Sequence, residues 1–333
     1  MKVGIDAMGG DVAPETPVAG AVRAARDLPI EVVLIGDQAL IEGQLARYGR
    51  RPANVSVIHA SETIEMDESP VAAVRKKKDS SINVGIECLR DHRVDALVSA
   101  GNTGAVACAA TLLLGLLPGV ERPGIGLLLP GLHGETLLID VGANIGPKPL
   151  HLLHYALMGE AYARFVLGKM RPSVGLLNVG EEETKGTEFI RETYSLLQNA
   201  GINFIGNTEG RNIFMGQCDV IVCDGFAGNV ALKTAESLAH AISTILKRSL
   251  TRGPIRRFGA WLCRDAFRGL RQEIDYAEHG GALLFGVSGV CVIAHGASTA
   301  KAIKNAIRVG YESVRNNVTR HLMEAVQPAA PVP

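Results

Sequence analysis

The chain has little that would commit it to a membrane, a nucleic acid or an oxidising compartment. Its 34 basic and 34 acidic residues cancel, so no global field draws it to nucleic acid or lipid, and any such attraction has to come from a local patch. Its six cysteines, at 88, 108, 218, 223, 263 and 291, include no Cys-x-x-Cys pair. They read as reduced thiols in apolar runs, which predicts a cytoplasmic protein. The longest nearly uncharged helical run, 105–117, falls short of the roughly 20 residues that cross a bilayer. The opening Met1-Lys2-Val3-Gly4-Ile5-Asp6 reads as a strand and lacks the apolar stretch of an export signal. A phosphate-loop signature and a dinucleotide fingerprint between strand and helix are both missing, as is any Cys–His cluster with zinc spacing. The acids of Gly180-Glu-Glu-Glu183 read as solvated surface, so neither a metal nor a cofactor is expected.

What is present suits one large α/β body. A chain of 333 residues with 47% hydrophobic composition can bury a substantial core. Strand candidates at 2–6, 31–35, 55–58, 95–99, 125–129, 136–141, 173–179, 202–205, 219–223 and 290–294 are mostly separated by helical patterns, notably 15–27, 149–168, 186–200 and 298–318. Asp219-Val-Ile-Val-Cys223 is apolar at successive positions, as strands buried on both faces are. The pair 125–129 and 136–141, joined by a short turn, suits an antiparallel hairpin. The pattern predicts an αβα sandwich on a mixed, mostly parallel sheet. One domain over 1–323 is expected, then a frayed Ala- and Pro-rich tail over 324–333.

Four strand–loop–helix junctions carry the chemistry. Leu97-Val-Ser-Ala-Gly-Asn-Thr-Gly104 breaks from an apolar strand into a small polar loop and then a helix, which is the outline of an anion site. Similar junctions stand at Asp140-Val-Gly-Ala-Asn144, Asp224-Gly-Phe-Ala-Gly-Asn229 and Ala294-His-Gly-Ala-Ser298, and together they predict convergence at one edge of a sheet. Asn102, Thr103, Asn144, Asn229 and His295 would supply neutral donors for an oxyanion or carbonyl, beside the backbone of Gly104, Gly225 and Gly228. Cationic help would come from Lys185 and, more weakly, from Lys233 one turn after Asn229. His295 follows an apolar strand and reads equally well as a structural histidine.

Seven ordered motifs then stand out: Ile5-Asp-Ala-Met-Gly-Gly-Asp11 with Ala13-Pro14, Lys77-Lys-Asp-Ser-Ser81, Ser99-Ala-Gly-Asn-Thr-Gly-Ala105, Asp140-Val-Gly-Ala-Asn144, Asn178-Val-Gly-Glu-Glu182 with Lys185-Gly186, Glu209-Gly-Arg211 and Asp224-Gly-Phe-Ala-Gly-Asn229. Over residues 1 to about 320 the chain resembles the bacterial phosphate acyltransferases of the PlsX family. The resemblance implies a fold similar to the isocitrate and isopropylmalate dehydrogenases and to phosphotransacetylase, usually as a homodimer. It implies transfer of a fatty acyl group from acyl carrier protein to inorganic phosphate, giving acyl phosphate for phospholipid synthesis and hence contact with the glycerol-3-phosphate acyltransferase. Two alternatives stay open: a phosphotransacetylase-like enzyme using acyl-CoA, and a non-catalytic membrane-docking scaffold.

The chemistry suits such loops. Phosphate is already nucleophilic and a thiolate, with a pKa of about 8.5, is a tolerable leaving group, so a strong base is unnecessary. The site has to hold the anion against the thioester carbonyl and stabilise the developing oxyanion. Lys185, Asn229 and His295, the last as proton donor to sulfur, are the catalytic candidates, and no Ser–His or Cys–His nucleophile motif argues for an acyl-enzyme. A local basic patch completes the picture. Residues 252–271 hold six arginines and one acid. On an amphipathic helix at about 247–273, Arg257, Arg264, Arg268 and Arg271 would share one face, with Ile255, Phe258, Leu262, Ala266 and Leu270 opposite and Trp261 towards the margin. Arg256, Arg257, Trp261, Leu262, Arg264, Arg268, Leu270 and Arg271 are the candidates for contact with the membrane surface or the acidic carrier protein. The alternative is a helix packed on its own domain or on a dimer mate.

Overall fold

The computed structural model describes residues 1–49, 51–267, 269 and 280–327. Its strands are β1 Lys2–Asp6, β2 Glu31–Gly36, β3 Val55–His59, β4 Ala96–Ser99, β5 Gly124–Gly131, β6 Gly134–Ile139, β7 Val174–Leu177, β8 Phe204–Thr208, β9 Val220–Val222, β10 Ala282–Phe285 and β11 Val290–Ile293. They form one sheet in the order β3-β2-β1-β4-β11-β10-β5-β6-β9-β7-β8. Most neighbours are parallel, while β11–β10, β10–β5 and β5–β6 are antiparallel. The expected hairpin is β5–β6, closing at Gly131↔Gly134. Three reversals leave β4 and β11 running opposite to β6 and β9, and this direction change decides where the loops can meet.

Both faces of the sheet are covered, which is why its strands are apolar at consecutive positions. Side chains alternate across a strand, and the partition is visible residue by residue. Val98, Ile139 and Val222 join one core with Tyr155 and Phe285. Leu97, Leu138 and Ile221 join the other with Ile82 and Ile86. The first face carries the helices Glu15–Asp27, Pro149–Phe165, Glu188–Gln198 and Ala300–Arg315. The second carries Pro70–Lys76, Ser81–Arg90 and Thr103–Ala109, with Leu232 of the long helix Gly225–Leu250 packed on it. This is the sandwich the pattern predicts.

Three sequence expectations shift. The segment 298–318 is divided: a helix over Ala300–Arg315 stops at Asn316, Asn317 takes a left-handed backbone with φ 50°, and a second helix runs Val318–Val326. The start of the expected tail is therefore the last helical turn, with Val326 buried; 328–333 lie outside the described residues. The run 105–117 starts earlier, at Thr103, and after Ala109 widens into a π-helical turn over Ala110–Leu114. The basic helix does not run unbroken from 247. The long helix ends at Leu250, Gly253 turns the chain with φ 86°, and Pro254 opens a separate helix that ends at Leu262. No helix among the described residues is long and apolar enough to cross a membrane.

Candidate active site

Two of the four junctions are held by buried carboxylates at strand ends. Asp140, just after β6, accepts from the backbone N–H groups of Ile125, Gly142, Ala143 and Asn144 at 2.8–3.1 Å. Burial pushes its carboxyl above the usual range although those bonds pull it down. Asp6, at the end of β1, accepts from the Ser99 hydroxyl at 2.7 Å, and burial again raises it. These carboxylates fold the loops tightly enough to fix the direction in which the chain leaves each strand.

Several predicted anion ligands turn out to be clamps. Asn102 caps its helix by accepting from Ala105 N–H, and its amide donates to the carbonyls of Glu65, Met66 and Glu68 at 3.1–3.2 Å. Both ends of that side chain are committed, so it is not a free phosphate donor. Asn144 is likewise engaged, donating to the Pro123 carbonyl, the Asp140 carboxylate and the Tyr155 hydroxyl. Gly104 makes room for Pro70, since a Cβ there would lie 2.6 Å from its ring. Gly225 and Gly228 let the long helix sit on the 140–144 loop: a Cβ on Gly225 would meet the Asn144 carbonyl at 2.4 Å, and one on Gly228 the Asp140 carbonyl at 1.9 Å. Close packing accounts for a glycine at each of these three positions.

The four junctions nevertheless meet, over a sheet face and not at an edge. A cavity of about 260 Å³ takes Thr103 from the first, Gly142 from the second, Asn229 from the third and His295 from the fourth. An edge could not gather them, because β4 and β11 run opposite to β6 and β9. The long helix solves this by starting beside Asp140 and crossing back over the face, presenting Asn229, Leu232, Lys233 and Glu236 to the same space. Those positions follow the i, i+3, i+4, i+7 spacing of one helical face, the signal by which Glu236 is readable in the sequence. The apolar floor is Ile125 and Leu127 of β5 with Ile293 of β11.

Lys233 Nζ lies 2.8 Å from Glu236 Oε2 and 3.1 Å from His295 Nε2. Glu236 Oε1 is buried without a partner among the described residues. His295 Nδ1 accepts from Ala297 N–H at 3.1 Å, so neither ring nitrogen holds the hydroxyl of Ser298, which also lines the cavity. Lys185 stands elsewhere, in the exposed loop after β7, and does not line the cavity. Glu181 of the same loop pairs with Arg211, and the described residues include no cluster of metal-binding side chains.

The basic hairpin projects bare. Ile255, Phe258, Trp261 and Leu262 are all more than half exposed, so among the described residues nothing covers this helix's apolar face. Phe258 stacks on Trp261 with centroids 5.9 Å apart, and Arg264 lies 5.5 Å from the Trp261 ring centre. Arg257 is exposed as well, and Arg256 reaches the Ser249 carbonyl at 3.4 Å. Arg268, Leu270 and Arg271 lie outside the described residues.

The fold is shared with solved structures of a phosphotransacetylase and a phosphotransacylase. A phosphotransacetylase from Streptococcus pyogenes superposes with a TM-score of 0.64 at 16% identity, covering 95% of this chain and 94% of that one. A branched-chain phosphotransacylase from Enterococcus faecalis gives 0.58 at 13%, covering 94% and 99%. These likenesses are of fold. Sequence reaches further: the family model described as fatty acid synthesis protein matches residues 1–321. Proteins named phosphate acyltransferase are 50% identical over 317 residues in Desulfitobacterium hafniense, covering 95% of each chain, and 46% identical over 332 in Geotalea daltonii, covering 100% of this chain and 96% of that one. The molecule is thus an α/β acyltransferase. It belongs to the phosphate acyltransferase family, and acyl transfer to phosphate is its reaction.

Proposed function

We propose that the acyl donor is the thioester of acyl carrier protein and that the product acyl phosphate feeds phospholipid synthesis, through the glycerol-3-phosphate acyltransferase. The observation that carries this reading is the cavity. Thr103, Asn229 and the Lys233 cation stand over an apolar floor, an arrangement that receives an anion and an acyl chain together. Phosphate attacks the thioester carbonyl directly, because His295 is not paired with a serine or cysteine. Lys185, whose side chain has no partner among the described residues, is a second cation brought to the phosphate by its loop. The exposed Arg256, Arg257 and Arg264 receive the acidic carrier, while Trp261 and Leu262 touch the inner membrane surface. A second copy of the chain covers the bare stripe Leu238, Ile242 and Ile245 on the long helix, each more than half exposed. The test compares acyl carrier protein thioester with acyl-CoA as donor at matched concentration. A preference of about tenfold or more for the carrier in kcat/KM supports the reading, and a preference for acyl-CoA overturns the carrier assignment.

A further inference from the structure

Collapse of the tetrahedral adduct puts an electron pair on sulfur. With hydrogen phosphate dianion as nucleophile, the C–O bond forms, the C–S bond breaks, and the products are the acyl phosphate dianion and a free thiol. One proton therefore has to travel from phosphate to sulfur. The sequence makes His295 the obvious donor, and the geometry of the cavity points elsewhere.

Because Ala297 N–H donates to His295 Nδ1, that nitrogen carries no proton and the hydrogen of the neutral ring belongs on Nε2, an assignment made from the hydrogen-bond pattern. Nε2 faces Lys233 Nζ at 3.1 Å. An ammonium and an Nε2–H cannot both donate across that gap. The contact is a hydrogen bond only when Lys233 has given up a proton and its amine accepts from the ring. On the other side, Glu236 Oε2 at 2.8 Å accepts from Lys233 in either state. Its carboxylate is the more buried partner, with its side chain 17% exposed against 50% for Lys233, so it anchors the lysine and not the reverse.

We propose that Lys233 protonates the departing sulfur, with His295 and Glu236 as positioning residues. The Lys233 ammonium gives one proton to sulfur as the C–S bond breaks, and the resulting amine is caught by His295 Nε2–H. The amine then takes up the proton that phosphate loses on becoming acyl phosphate, which returns the site to its starting charge. This rests on acyl transfer from a thioester to phosphate and adds the route of the proton.

The experiment varies the leaving group. Wild type, Lys233→Gln, Lys233→Arg and Glu236→Gln are assayed with phosphate and two thioesters of one acyl chain, one of an alkyl thiol and one of nitrothiophenol, whose thiolate departs without protonation. Lys233→Gln is expected to lose about a hundredfold or more in kcat with the alkyl thioester, the scale of general acid catalysis, and under tenfold with the aryl one. Lys233→Arg keeps the charge but cannot release a proton, so it should retain the wild-type KM for phosphate and show the same split. Glu236→Gln should show a smaller split, with the KM for phosphate little changed. Equal losses on both thioesters in the lysine variants, or full activity of Lys233→Arg with the alkyl thioester, would overturn the assignment. If the wild type forms no acyl phosphate from either thioester or from the carrier-bound one, the underlying reading fails as well.

Discussion

Asn102 ties the 65–68 loop to the start of the Thr103–Ala109 helix, and its removal should show first in stability. Asn102→Ala loses a helix cap and the side-chain donor to three part-buried carbonyls of the 65–68 loop, which should cost about 1–2 kcal/mol. A urea midpoint unchanged from wild type would contradict the clamp. Gly228→Ala should be worse tolerated, because the new methyl collides with backbone that Asp140 holds rigid and cannot rotate away. Lys185→Ala should keep the fold and lower turnover about a hundredfold, the scale of losing one contact to a developing oxyanion. Near-normal turnover would leave Lys185 as solvated surface. At this scale the sequence shows which residues matter better than what they do. Asn102, Asn144, Gly225 and Gly228 stand out as polar or small residues at helix starts, but ligand binding and close packing select the same types there. Only the partners distinguish them, and most of those lie far away in the chain, as Glu65 does from Asn102.

Among the elements, the hairpin formed by the long helix and Pro254–Leu262 is the least explained by its own body. Its two faces make separable expectations. Trp261→Glu with Leu262→Glu should weaken binding to anionic vesicles in a flotation assay, since each apolar side chain is worth up to roughly 1.5–3 kcal/mol when fully buried. Arg257→Glu with Arg264→Glu should slow turnover with carrier-bound substrate at low salt, and the defect should shrink as salt screens the attraction. Vesicle binding that is undetectable in the wild type would assign the apolar face to a protein partner. Leu238→Glu with Ile242→Glu should convert a dimer to monomer in sedimentation; an unchanged sedimentation coefficient would remove that stripe from the interface. Element boundaries were legible where one signal acted alone. The helix Glu15–Asp27 and the β5–β6 hairpin follow the pattern closely, whereas β10 escapes it. Gly280-Gly-Ala-Leu-Leu-Phe-Gly286 has no alternation and is short, so nothing local separates a doubly buried strand from a loop.

For the whole molecule, the decisive feature is the reversal of strand direction across β10, β5 and β6. A parallel sheet gathers its functional loops at one edge. Here the two halves point opposite ways, and the long helix starts with Asn229 beside Gly142 after β6 and returns across the face to bring Lys233 to His295 after β11. The four junctions are visible in the sequence, but the place where they meet is not, because it depends on β10 and on pairings such as Leu138↔Ile221 across more than 80 residues. The central claim is transfer of an acyl group from carrier-bound thioester to phosphate in this cavity. It is tested most directly by incubating the protein with acyl carrier protein thioester and inorganic phosphate, without nucleotide or divalent metal, and monitoring free thiol together with acyl phosphate trapped as hydroxamate. The expected result is thiol and hydroxamate released in equal amounts, in proportion to enzyme and only when phosphate is present. Thiol release without phosphate, or release that requires ATP or a metal ion, would contradict it.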